Sequence, residues 1–88
     1  MFRLWGKLYQ NNKMIDDLTV TDSSEESRTH KVFSAITAIC LHFDLSEPIW
    51  LDINIAEFKH RSRTRFSKDN FIDSIPFDYL EIQIIEED

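Results

Sequence analysis

The chain has one glycine, two prolines and one cysteine in 88 residues, and each scarcity removes a class of protein. With Gly6 alone no glycine-rich phosphate loop can form, because such a loop needs several residues without Cβ to bring backbone N–H groups onto a phosphate. With Cys40 alone an internal disulfide is excluded, and a cysteine-based zinc site lacks its second thiolate. No apolar run reaches the ~18 residues of a membrane-spanning helix. The opening MFRLWGKLYQ alternates where a secretory leader would carry a continuous apolar stretch. These absences lead to the expectation of a reduced, soluble, cytoplasmic protein, a single domain over residues 1–88 with no membrane association. Few glycines and prolines also leave little chain for irregular loops.

What is plentiful is apolar surface and negative charge. Hydrophobic residues make up 42% of the chain, with seven Phe, two Trp and two Tyr, a globular and not a disordered composition. The formal charge is −6, from sixteen acids against ten Lys and Arg. Half of those cations fall in one run, KHRSRTRFSK (Lys59–Lys68), which contains no acid, so the rest of the chain stands at −11. A body that acidic repels nucleic acid and anionic membrane in general, and polyanion binding is confined to the run itself.

The order of elements follows from hydrophobic period. Phe2–Gln10 alternates, with Phe2, Leu4 and Leu8 on one side and Arg3, Trp5, Lys7 and Tyr9 on the other, which is the pattern of a strand. Asn11-Asn12 tolerates the left-handed conformation of a tight hairpin turn. Lys13–Thr21 then returns with Leu18 and Val20 on one face and Ile15, Asp17 and Thr19 on the other. Gly6 within the first strand marks a bulge or the close approach of another element. Ser23 and Glu26 fit a capping box ahead of a long helix whose stripe is Val32, Phe33, Ile36, Ile39, Cys40 and Phe43, ending near Asp44 or Leu45. Asn54 with Glu57 marks a short helix to about Arg61. Ser67 opens a third over Lys68–Ser74, with Phe71, Ile72 and Ile75 as its apolar side, and Pro76 stops it. FDYLEIQII alternates again, with Leu80, Ile82 and Ile84 inward and Tyr79, Glu81, Gln83 and Ile85 outward. The order β-β-α-α-α-β predicts an α+β fold: a three-stranded, mainly antiparallel sheet with one long and two short helices on one face.

No catalytic constellation assembles from these positions. Cys40 lies on the apolar stripe of the main helix, where a thiol packs and stays protonated. His30, His42 and His60 are far apart, and Asp16 and Asp17, adjacent on a strand, point to opposite faces and cannot chelate together. No metal, cofactor or catalytic residue is therefore assigned, and an enzyme is the weakest class. Two surfaces remain. The outward side of the sheet carries Trp5, Tyr9 and Ile15, joined by Tyr79 and Ile85 from the last strand, and such an aromatic–aliphatic face points to a protein partner or a homodimer, the other reading being that Trp5 packs against the Pro48–Leu51 link or the chain ends. The second is Lys59, Arg61, Arg63, Arg65 and Lys68. If Arg61–Phe66 is extended, its arginines line one side about 6.6 Å apart, a comb for phosphate or carboxylate. If it is helical the comb is lost. Internal charge balance against Glu57, Asp69, Asp73 and the acidic end is the favoured reading, and RNA or DNA binding is the alternative.

At RTHKVF, PIWLD, TRFSKDNF and FDYLEIQIIEED the chain resembles a family of short, uncharacterised proteins of Firmicutes, over nearly its whole length. The resemblance implies a bacterial, cytoplasmic setting and carries no activity, ligand or residue role with it.

Overall fold

The computed structural model describes residues 1–87, so the last residue of the acidic end, Asp88, lies outside the described residues. Strands β1 (Phe2–Gln10) and β2 (Lys13–Asp22) are followed by helices α1 (Arg28–His42) and α2 (Asp52–Arg61). A short β3 (Arg63–Ser67), one 3-10 turn (Lys68–Asn70) and β4 (Tyr79–Glu86) complete the chain. The α+β class holds, but the sheet has four strands in the order β2-β1-β4-β3, not three. All neighbouring strands run antiparallel.

The hairpin forms as its residues require. Asn11 and Asn12 both take positive φ, 53° and 64°, the pair of left-handed residues that matches a two-residue turn to the twist of its strands. Beyond the turn, Tyr9 pairs with Met14 and Leu8 with Asp16, so Ile15 is the extra residue of a β-bulge. Gly6 meets α1: a Cβ there would lie 2.8 Å from Ile39 Cδ1.

Helix α1 starts later than the Ser23–Glu26 box predicts. Its cap is Ser27, whose hydroxyl accepts from the His30 N–H. The earlier segment is a turn in which the Asp22 carboxylate takes the Ser24 N–H at 2.8 Å, a local bond that competes with helix formation. At the other end Asp44 is left-handed and the Leu45 N–H reaches the Cys40 carbonyl, a Schellman closure that leaves Pro48 outside the helix. The buried face is Lys31, Val32, Ala35, Ile36, Ile39 and Cys40; Phe33, expected on it, is 50% exposed.

The second correction lies at the basic run. Helix α2 ends at Arg61, and Ser62, left-handed at φ 53°, turns the chain into β3, where Thr64 and Phe66 are buried and Arg63 and Arg65 exposed. The predicted helix over Lys68–Ser74 is only the turn Lys68–Asn70, which leaves Ile72 87% exposed. Asn70 is the reason: its side chain folds back to accept the Ser67 N–H and to donate to the Ile49 carbonyl, so the chain is tied down after one turn. Strand β4 then lies between β1 and β3 and puts Leu80, Ile82 and Ile84 into the core with Leu4, Ile36, Ile39 and Phe66. Helix α1 packs on β1 and β2, and α2 on β3. Both cover the same face of the sheet, and among the described residues no layer lies over the other face.

Candidate interaction face

The uncovered face is built by alternation. In β1 the residues not committed to the core are Arg3, Trp5, Lys7 and Tyr9; in β4 they are Tyr79, Glu81 and Gln83. Strand register sets them side by side. Asp17 stands opposite Lys7, Lys7 opposite Glu81 and Glu81 opposite Arg65, a row of alternating charge across all four strands. Lys7 Nζ lies 2.7 Å from Glu81 Oε2 and donates to Gln83 Oε1 at 3.1 Å. Arg65 Nε donates to Glu81 Oε1 at 2.9 Å. Although no helix covers them, Lys7 and Glu81 are each 5% exposed.

Aromatic rings roof this pair. The Lys7 ammonium lies 4.1 Å from the centre of the Trp5 ring, whose indole N–H donates to Asp17 Oδ2 at 2.9 Å. Tyr9 and Tyr79 are opposite each other and stack, with ring centres 5.0 Å apart, and the Arg65 guanidinium lies 4.6 Å from the Tyr79 ring centre. Burial by itself would push the Glu81 carboxyl up, but the bonds from Lys7 and Arg65 outweigh it and hold the group below its ordinary value. The same bond raises Arg65 further. The centre of the face is thus charged and satisfied, with its aromatic side chains locked in place.

Of the expected interface residues, Trp5, Tyr9 and Tyr79 come together here, half-buried. Ile15 and Ile85 do not join them. Ile15 is the bulge residue beside Leu8 and Tyr9, Ile85 sits at a second bulge beside Arg3 and Leu4, and the two lie at opposite ends of β1. Lys7, Glu81 and Gln83 are the members that sequence reading missed as a site, and Arg65, expected in the basic comb, joins them here. Their alternation was visible, but nothing in the sequence paired β1 with β4.

The basic run does not form one strip. Lys59 is on α2 and lines a cleft that Val32 and Trp50 also line. Arg61 ends α2 and shares a polar cleft with Arg63 and Arg65 that also contains Glu57 and Glu81, and Lys68 lies in the turn beyond β3. Arg65 pairs with Glu81, which is none of the acids expected to balance the run, and the acidic end goes elsewhere: Glu86 to Arg3 and Glu87 to Arg28. Behind β3 is a buried polar cluster. Asn54 Nδ2 donates to the Thr64 hydroxyl and to the Arg65 carbonyl, both at 2.9 Å, and Asn70 donates to Asn54 Oδ1 at 2.7 Å.

That cluster also closes an edge. Ser62 accepts from the Ile84 N–H, so by the alternation of an antiparallel ladder the backbone groups of Arg63, Arg65 and Ser67 face away from β4. Asn54 occupies the Arg65 carbonyl and Asn70 the Ser67 N–H. The opposite edge, β2, carries Asp16, Asp17 and Asp22 and the bulge at Ile15. Both edges thus carry features that oppose strand addition.

Elsewhere the residues weighed for chemistry are dispersed. Cys40 is buried, and burial, with Glu47 adding to it, pushes its thiol up to about 11. His30 stands 3.9 Å from Glu26, and His42 packs edge-on against Phe43. Among the described residues no group of three or more His, Cys, Asp or Glu could hold a metal ion, and no helix is long and apolar enough to cross a membrane. No protein-family model, no curated protein and no solved structure matches this chain.

Proposed function

We propose that this protein is a non-enzymatic interaction module that binds another protein molecule, in the simplest case a second copy of itself, through the uncovered sheet face. The observation that carries the reading is the immobilised Trp5–Tyr9–Tyr79–Arg65 surface. Trp, Tyr and Arg are the residue types that dominate protein interfaces, and side chains already locked by Asp17, Glu81 and each other lose little entropy on binding. Charge supports self-association: the face is acidic toward β2, with Asp17, and basic toward β3, with Arg63 and Arg65. Two copies related by a two-fold axis can set each acidic side on the other's basic side. A bacterial, cytoplasmic setting is part of the same reading.

Light scattering across a concentration series tests it. The wild type should reach the mass of a dimer, and both Trp5→Ala and Arg63→Glu should shift association to at least about tenfold higher concentration, the loss expected for one interface anchor. A strict monomer at high concentration that also retains no protein partner in a pull-down overturns the proposal. Nucleic-acid binding through residues 59–68 has less support, because the run is divided among α2, β3 and the turn after it and Arg65 is already paired.

A further inference from the structure

On the opposite layer from the proposed interaction face, independent of it, lies a cleft of about 280 Å³ between the two helices. Each helix supplies a matching triplet at i, i+3 and i+4: Thr29, Val32 and Phe33 from α1, and Ile55, Phe58 and Lys59 from α2. Because α1 leans on β1 and β2 while α2 leans on β3, the helices do not close on each other. Trp50, from the link between them, forms the floor. Its ring is held edge-on by Phe33, Phe58 and Phe66 at centre distances of 6.0, 5.4 and 5.1 Å, so the cleft is pre-formed. Its walls are apolar, yet Phe33 and Ile55 remain 50% and 42% exposed.

The charged residues that line it are both cations. The chain holds sixteen acids against ten Lys and Arg, but the eight residues lining the cleft include no acid and two cations, Arg28 and Lys59. Arg28 is held in place by Glu87 and Ser62, 5.4 Å from the Phe58 ring centre, and it stands with Thr29 in the first turn of α1, the positive end of the helix dipole. Lys59 is exposed and has no ion pair among the described residues. An apolar floor with an unneutralised ammonium at its rim is complementary to a molecule with an apolar body and one negative end. We infer that this cleft binds a small amphipathic carboxylate, its chain or ring against Trp50 and Phe58 and its carboxylate at Lys59. The volume, just under the roughly 300–1,000 Å³ of larger ligand sites, fits an acyl chain of medium length or a single aryl group.

Octanoate is a suitable probe, read by two-dimensional NMR on the intact chain, with octylamine as its charge-reversed control. Octanoate should shift the Trp50 indole N–H and the amides of Thr29, Phe33, Ile55 and Lys59 to saturation, while the Trp5 indole on the other face stays in place. Octylamine should bind about fivefold more weakly or worse, the size of one exposed ion pair, and Lys59→Glu should weaken octanoate by at least as much with the spectrum still folded. Ile55→Glu, a second exposed substitution, should do the same by placing an acid in the cleft. Shifts that never saturate, equal binding of octylamine, or unchanged affinity in both variants would overturn the inference.

Discussion

Gly6 lets α1 down onto the sheet, since a Cβ at that position would stand 2.8, 3.0 and 3.2 Å from three side-chain atoms of Ile39. Ile39 is fully buried and β-branched, so on a helix it has little rotamer freedom with which to retreat. Gly6→Ala should therefore lose about 1–3 kcal/mol in urea unfolding, the range for overpacking. Ile39→Ala in the same chain should make the two effects non-additive. Glu81 poses a different problem, because it neutralises Lys7 in a place that excludes water. Glu81→Gln should lose about 3–5 kcal/mol by leaving a buried ammonium without its counter-charge, and Lys7→Met with Glu81→Leu should recover most of that loss. The carboxyl is held below its unfolded value of 4.5, so its contribution is complete above that value and lost as pH falls through the lower folded one. The acid limb of the stability curve should accordingly be shallower in Glu81→Gln than in the wild type. The sequence left Gly6 as either a bulge or a close approach, and the structure decides for the approach, with the bulges at Leu8/Tyr9 and Arg3/Leu4. The role of Glu81 was not legible in the sequence: as an outward residue it looks solvated until β1 and Arg65 are placed beside it.

At the scale of elements, termini were harder to read than periods. The start of α1 illustrates why. Ser23 and Ser27 both precede the apolar stripe and both can cap, and Asp22 decides between them by engaging the Ser24 N–H and committing that segment to a turn. Ser27→Ala should lower stability by about 0.5–2 kcal/mol, the cost of a lost N-cap, whereas Ser23→Ala should change it by less than about 0.5 kcal/mol. Thermal unfolding of the two variants separates the alternatives. The basic run shows the same limit in a stronger form. Its alternation of Arg63, Thr64, Arg65 and Phe66 fits a strand, but five residues are too short to be distinguished from a loop without knowing that β4 pairs alongside. The expected helix after Ser67 had a good cap and an apolar side. It stops because Asn70 and Asn54 bind backbone groups of Ile49, Leu51, Arg65 and Ser67 instead of leaving the chain free to coil.

At the scale of the molecule, two layers leave one sheet face open and a gap between the helices on the other, and the two proposed sites follow from those spaces. The layers also shut Cys40 away: buried between α1 and the sheet, with its thiol pushed up to about 11, it should react with a thiol reagent about a hundredfold or more slowly than in the unfolded chain, because the reactive thiolate forms only on opening. Rapid labelling of the native protein would show instead that α1 opens locally. The sequence by itself determined the local elements: two alternating strands joined at Asn11-Asn12, a helix with an apolar stripe through Val32, Ile36, Ile39 and Cys40, and a final strand with Leu80, Ile82 and Ile84 inward. Each depends on steric preference and on burial of one side of a short stretch, and both are encoded within a few residues. Only the tertiary structure decided that β4 runs between β1 and β3 and so places Glu81 between Lys7 and Arg65. Only it decided that Lys59 is separated from its basic neighbours and lines a cleft together with Trp50. Strand pairing and the environment of a charge are set by residues distant in the chain, and one residue's pattern carries no record of which partner will stand opposite.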